Sequence, residues 1–206
     1  DDIIWCTTRD NIWVFDMKTR EFEYDITDRL KAMGVTGTIK NLAIDSVGRF
    51  WFFTEDGKVC ICDRKAPVVT KVLPKGMTLP IEMKRHGDKV WMMSMNGMLA
   101  EYDMQLEEFR SVQSIPTVTA VESSSRMAMD ITSNGDIWMM FDKDLVRYDS
   151  EAGTFSNVSS LSTYSRDLYT TIAIDKKDDI WIGTARSGVS IISDNGFQTQ
   201  HLPYLE

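Results

Sequence analysis

Two histidines, His86 and His201, and three cysteines, Cys6, Cys60 and Cys62, are where metal or nucleophilic chemistry would first be sought in this 206-residue chain. Their spacing supports neither. The histidines lie far apart and adjoin no cysteine or carboxylate cluster, and the odd set of cysteines has no metal-ligand pattern. Cys60 and Cys62 fall two residues apart on one face of a predicted strand, a poor geometry for a mutual disulfide, and all three thiols are expected as small buried hydrophobes. No nucleophile–base set or phosphate loop is present. No catalytic residue, metal or cofactor is assigned.

Aspartates recur instead, at Asp16, Asp63, Asp103, Asp149 and Asp194. Repeated carboxylates suit calcium, but each of these stands at a predicted strand end beside a turn. An aspartate there bonds its own backbone, which is the role expected of them. A second set of polar residues, Arg9, Asp10, Glu55, Asn96, Lys143 and Arg186, falls in turns after tryptophan-bearing strands. Hydrogen-bonding groups in such turns, beside an exposed aromatic, would suit a polar ligand. The candidate ligand-binding residues are therefore Arg9, Glu55, Asn96, Lys143 and Arg186, with Tyr164 and Tyr169 as the aromatics.

A repeat positions these residues. Trp5, Trp51, Trp91, Trp138 and Trp181 are separated by 46, 40, 47 and 43 residues, and each precedes an aspartate by 11 to 13 residues. In three repeats an aromatic follows the aspartate by six residues: Phe22, Phe109 and Phe155. Strings such as Trp51-Phe52-Phe53 and Trp91-Met92-Met93 are apolar at successive positions, as a strand covered on both faces should be. Ahead of three of them stand Leu42-Ala43-Ile44-Asp45, Met127-Ala128-Met129-Asp130 and Ile172-Ala173-Ile174-Asp175. The shared alanine is expected where inner strands converge on an axis. The third repeat breaks the rule with Glu82-Met83-Lys84-Arg85, placing charges near that axis.

Four-stranded units of this length, buried on both faces, predict an all-β fold, a β-propeller of antiparallel blades. A β-solenoid is the competing architecture, but its coils are normally shorter. The blades are expected at about 1–25, 39–73, 81–112, 127–158 and 170–202, as one propeller segment over 1–206. The first lacks an inner strand, and a helical turn is predicted at Asp28 to Met33. Only Pro203 to Glu206 would follow the last outer strand, too few to complete the first blade, so an excerpt of a larger ring is expected.

Composition narrows the partners. At 43% hydrophobic and 26% charged residues the chain can build a core, and its net charge of −8 disfavours binding to nucleic acid. No apolar run approaches the ~18 residues of a membrane span, so no membrane contact is expected from this segment.

The pattern Ile-x-x-Asp, a turn, Ile-Trp-Ile-Gly-Thr, a glycine turn and a closing aspartate is fullest from Ile172 to Asp194. It resembles the two-component regulator propeller repeat. That resemblance implies seven-bladed rings in the periplasmic sensor region of bacterial, Bacteroides-type hybrid histidine kinases. By the same resemblance the ligand is an oligosaccharide, the full-length sensor is a homodimer, and the kinase lies outside these residues. The segment itself would sense or transmit without catalysis. Asp45 to Thr54 is also similar to the streptogramin lyase propeller, an enzyme family that depends on histidine and an acidic residue near a divalent metal. His86, expected in a solvated turn, and His201, on a predicted outer strand, are the only histidines available to it. A non-catalytic interaction scaffold is the third reading.

Overall fold

A strand that is apolar at every position needs a cover on each face, and this requirement organises the molecule. The computed structural model describes residues 3–7, 12–23, 26–32, 35, 39–44, 48–54, 58–62, 69–71, 73–78, 80–116, 126–141, 144–158, 168–186 and 188–193. These form five antiparallel sheets. The first holds β1 (Ile3–Thr7), β2 (Ile12–Asp16) and β3 (Glu21–Glu23), followed by the helix α1 (Ile26–Ala32). The second holds β4 (Ile39–Ile44), β5 (Phe50–Thr54), β6 (Val59–Cys62) and β7 (Val69–Lys71). The third holds β8 (Pro80–His86), β9 (Lys89–Ser94), β10 (Met98–Asp103) and β11 (Glu108–Ser114). The fourth holds β12 (Met127–Ile131), β13 (Ile137–Phe141), β14 (Asp144–Asp149) and β15 (Thr154–Asn157). The fifth holds β16 (Tyr169–Ile174), β17 (Ile180–Thr184) and β18 (Val189–Ile192).

Each sheet is a meander, and the inner strands β4, β8, β12 and β16 adjoin one another in chain order. This is a β-propeller. The helix begins at Ile26, two residues before the predicted turn. The outer strand predicted around His201, and Asp194 itself, lie outside the described residues.

The tryptophan strands behave as their composition demands. β5, β9 and β13 are buried almost throughout, whereas the outer strands β11 and β15 are largely exposed or half-exposed. Opposite residues of antiparallel strands share a face, so each blade presents cross-strand rows. Ala43, Trp51 and Ile61 form one row on the side of blade 2 facing blade 3. Val90, Tyr102 and Phe109 form the row of blade 3 that meets it, all within one apolar cluster. The Trp51 and Tyr102 rings are 4.8 Å apart, and Tyr102 and Phe109 5.1 Å. The next joint repeats this: Trp91 of blade 3 lies 5.6 Å from Tyr148 of blade 4, itself 4.8 Å from Phe155. Edge-to-face pairs of this kind add about 0.5–1.5 kcal/mol beyond the area they bury.

Register corrects one expectation. Ala43 and Ala173 lie opposite Trp51 and Trp181, but Asp130, not Ala128, lies opposite Trp138, and Lys84 lies opposite Trp91. Blade 4 is thus shifted by two residues from the match its sequence suggests. The inner edges accommodate long side chains, because Lys84 and Asp130 pair between the adjoining strands β8 and β12. Cys60 and Cys62 are buried in β6 as expected, while Cys6 is exposed, since β1 is the inner edge of its three-stranded blade.

Trp91 is 2% exposed and fills the joint between blades 3 and 4. Replacing it with alanine is expected to lower the unfolding free energy by about 3–5 kcal/mol. Trp91→Phe, which keeps a ring against Tyr148, should lose markedly less in the same denaturant titration.

Candidate functional site

The turn aspartates bond their own backbone. Asp16 Oδ1 accepts from the amides of Lys18 (2.7 Å) and Thr19 (3.1 Å). Asp103 Oδ1 accepts from Gln105 (2.9 Å) and Leu106 (3.0 Å), and Asp149 Oδ1 from Glu151 (3.1 Å) and Ala152 (2.8 Å). The residue four positions after each, Arg20, Glu107 or Gly153, has left-handed φ of 60°, 55° or 68°. That twist returns the chain to place Phe22, Phe109 and Phe155 on the outer strands. Asp63 and Asp194 lie outside the described residues. No group of three or more potential metal ligands occurs among the described residues.

Asp175 caps in the same spirit. Its Oδ1 accepts from the amides of Lys177 (2.8 Å) and Asp179 (3.1 Å), and its Oδ2 from the Trp181 indole (3.1 Å). The Lys177 amide first, then the indole, pull its pKa below the ordinary aspartate value. Asp130, grouped with it by sequence, plays another part. Its Oδ2 accepts from the Ile174 amide of blade 5 at 2.8 Å, and the Lys84 ammonium of blade 3 lies 3.7 Å from Oδ1. Lys84, a charge that breaks the inner-strand rule, and Asp130, which follows that rule, therefore tie three blades at their inner edges.

The ends of the blades differ in what they hold. At the end bearing the inner-to-tryptophan-strand turns, Asp136 is 5% exposed and accepts from Arg147 Nε (3.1 Å) and Nη2 (2.5 Å) and from the Ser150 amide (3.3 Å). Burial alone would raise its pKa, but Arg147, the Ser150 amide and Asn134 outweigh it and hold the carboxyl below the ordinary value. Ser133 of blade 4 bonds both carboxylate oxygens of Asp178 in blade 5, through its amide (2.7 Å) and its hydroxyl. His86 is half-buried, not solvated: a Cβ on Gly135 would stand 3.3 Å from its Nε2. It packs between blades 3 and 4. None of these fastenings was legible in the sequence, because each depends on which turns the blades bring together.

The opposite end carries the candidate ligand residues that the structure describes, Asn96, Tyr169 and Arg186. Asn96, in the β9–β10 turn, donates from Nδ2 to the Gly76 carbonyl (2.7 Å), and its Oδ1 accepts from the hydroxyls of Thr78 (2.9 Å) and Ser94 (2.7 Å). Its side chain stitches the turn to the joint between blades 2 and 3. Tyr169 opens β16 and is 6% exposed, inside the apolar cluster with Trp138 and Leu145. Its ring is part of the core rather than an open platform. Arg186, in the β17–β18 turn, is exposed. Arg9, Glu55, Lys143 and Tyr164 lie outside the described residues.

No family model and no curated protein matches the sequence. Solved structures do match its fold. The extracellular domain of the Bacteroides thetaiotaomicron hybrid two-component system BT3049 superposes with a TM-score of 0.67 at 15% identity, over 100% of this chain and 27% of that one. The extracellular domain of the one-component system BT4673 of the same organism gives 0.69 at 16% identity, over 92% of this chain and 26% of its own. Virginiamycin B lyase from Staphylococcus aureus gives 0.72 at 15% identity, over 99% of this chain and 67% of the enzyme. At these identities the likeness establishes the β-propeller. The chain spans about a quarter of the two sensor domains.

The Asp136–Arg147 pair makes stability pH-dependent. An aspartate with a depressed folded pKa contributes above the unfolded value, about 3.9, and that contribution disappears as pH falls through the folded value. Asp136→Asn should cost about 2 kcal/mol at neutral pH, less than a fully buried pair because Arg147 is 41% exposed. Denaturant titrations at successive pH values should show the wild type converging on the variant only below about pH 4.

Proposed function

We propose that this chain is a segment of an extracytoplasmic sensor propeller that binds or relays a polar ligand, an oligosaccharide, without catalysing a reaction. The observation that carries this reading is the division of labour between the two blade ends. Asp16, Asp103, Asp136, Asp149, Asp175 and Asp178 are all engaged in turns and fastenings at one end. Among the described residues, the other end carries the exposed Arg186 and the committed Asn96 turn. Recognition groups on loops above a rigid scaffold are the usual arrangement for binding. The fold likeness to extracellular sensor domains and the repeat resemblance support the same reading and, with it, a periplasmic setting; the homodimeric full-length protein is proposed on the repeat resemblance alone. Among the described residues no helix is long and apolar enough to cross a membrane.

A lyase-like enzyme is the second reading, favoured by the lyase superposition. His86 does not serve it: its imidazole sits between two blades at the fastened end. Binding of an oligosaccharide panel by calorimetry tests the proposal. At least one member should bind, and Arg186→Ala or Lys143→Ala should weaken it about tenfold. Absence of binding across the panel, or turnover of a streptogramin by the chain, would contradict it.

A further inference from the structure

A hydroxyl residue two positions before Asn-Gly recurs in this chain, as Ser94-Met95-Asn96-Gly97, Thr132-Ser133-Asn134-Gly135 and Ser193-Asp194-Asn195-Gly196. The last three residues of the third stretch lie outside the described residues. In Asn-Gly the backbone amide of the glycine can attack the asparagine side chain, because no Cβ stands in the way. The first two stretches are equivalent in sequence, and their turns match. The Ser94 and Thr132 hydroxyls donate to the Oδ1 atoms of Asn96 and Asn134. Gly97 and Gly135, with left-handed φ of 70° and 94°, each donate their amide to the carbonyl of that same serine or threonine at 3.0 Å. Both asparagines are exposed.

Their surroundings differ. Asn134 is held inside its own turn, its Nδ2 donating to Asp136 Oδ2 (3.2 Å) and its Oδ1 accepting from the Asp136 amide (3.3 Å). Ser150 and, from blade 3, His86 roof the attacking residue: a Cβ on Gly135 would meet Ser150 Oγ at 3.2 Å and His86 Nε2 at 3.3 Å. Attack requires the Gly135 amide to lose its proton, and the buried Asp136 carboxylate opposes a second negative charge beside it.

Asn96 is held from outside its own turn. Its Nδ2 donates to the Gly76 carbonyl (2.7 Å), and its Oδ1 accepts from the Thr78 hydroxyl (2.9 Å) and amide (3.2 Å). Its own amide donates to the Thr78 hydroxyl at 3.2 Å. These four bonds all come from residues 73–78, the segment that leads from β7 to β8. Asn96 is released when that segment lifts.

We propose that Asn96 is a deamidation site controlled by the joint between blades 2 and 3, and that Asn134 is shielded. With 73–78 lifted, the Gly97 amide gives its proton to hydroxide and its nitrogen attacks Asn96 Cγ. A C–N bond forms, the Cγ–Nδ2 bond breaks, and ammonia leaves with a proton from water, which leaves a cyclic succinimide. Water then opens either carbonyl of the ring, giving aspartate or isoaspartate. Aspartate turns an oxygen toward the Gly76 carbonyl where a donor stood, and isoaspartate lengthens the main chain of the turn by a methylene. Neither re-forms the latch, so a transient opening of the joint becomes permanent. The proposal is independent of any ligand.

Incubation of the intact chain at mildly alkaline pH, followed by peptide mapping in the mass spectrometer, tests this. Asn96 should convert about tenfold faster than Asn134 in the same sample, and more slowly than in a free peptide spanning Ser94 to Met98. Thr78→Val removes the hydroxyl that Asn96 bonds twice, and should speed conversion at Asn96 about fivefold while leaving Asn134 unchanged. Should that variant unfold the chain, Asn134 would accelerate too, and the comparison within the wild type decides. Asn96→Asp should make the Met77 and Thr78 amides exchange hydrogen about tenfold faster. Equal rates at the two asparagines, or Asn134 reacting first, would overturn the proposal. So would an Asn96 that reacts as fast as the free peptide or not at all, or a folded Thr78→Val variant with the wild-type rate.

Discussion

The tryptophan in the middle of each blade has to be covered by the next blade: by an aromatic for Trp51 and Trp91, by Ile180 and Ile192 for Trp138. Trp51 under Tyr102, and Trp91 under Tyr148, are the contacts through which sheets with little edge-to-edge bonding become one body. The rest of the design serves that contact. The aspartate before each sharp turn and the left-handed residue after it hold Phe109 and Phe155 behind the tyrosines. Cations then approach the rings from the joint's rim: Arg49 lies 5.9 Å from the Trp51 centroid, Lys89 5.9 Å from that of Trp91, and Lys71 5.8 Å from that of Tyr102. Burial raises the Tyr102 phenol's pKa against the pull of Lys71, so this ring stays neutral at ordinary pH.

Polar fastening is secondary in energy but specific in register. Exposed ion pairs are worth little individually. The Asp130 carboxylate differs, because it bonds a backbone amide of the next blade and leaves neither group unpaired in a half-buried place. Inner edges, turns and aromatic rows are thus three independent checks on how one blade sits against its neighbour. Gly183 belongs with them: an added Cβ would stand 2.7 Å from Thr171 Cγ2, where β16 bulges between Tyr169 and Thr171. The inner strand of blade 3 bulges at the equivalent place, and that of blade 2 one residue further along.

Most of the fold was legible because it is written five times. Tryptophan spacing, the aspartate after it and the aromatic six residues on each recur, and recurrence identifies a blade where one strand would be ambiguous. Register was less legible. Met127 to Asp130 imitates Ile172 to Asp175 in composition, yet pairing with β13 makes Thr132, not Asp130, the counterpart of Asp175: Thr132 and Asp175 each donate their amide to the carbonyl four residues on. Only the hydrogen-bond ladder distinguishes the two alignments. The candidate site was least legible. Asn96 and Tyr169 look like solvated loop residues in sequence, but one is committed to Gly76 and Thr78 and the other to the core. Whether a polar turn residue faces solvent or a neighbouring joint depends on contacts distant in sequence.

The account rests on direct coupling between blades through their aromatic rows. A double-mutant cycle on Trp51 and Tyr102, each replaced by leucine and read by denaturant unfolding, addresses it most directly. Facing rings 4.8 Å apart predict a coupling of about 0.5–1.5 kcal/mol between the two substitutions. Additive losses, with no coupling beyond experimental error, would show that the rings are merely buried side by side and that something else fastens the blades.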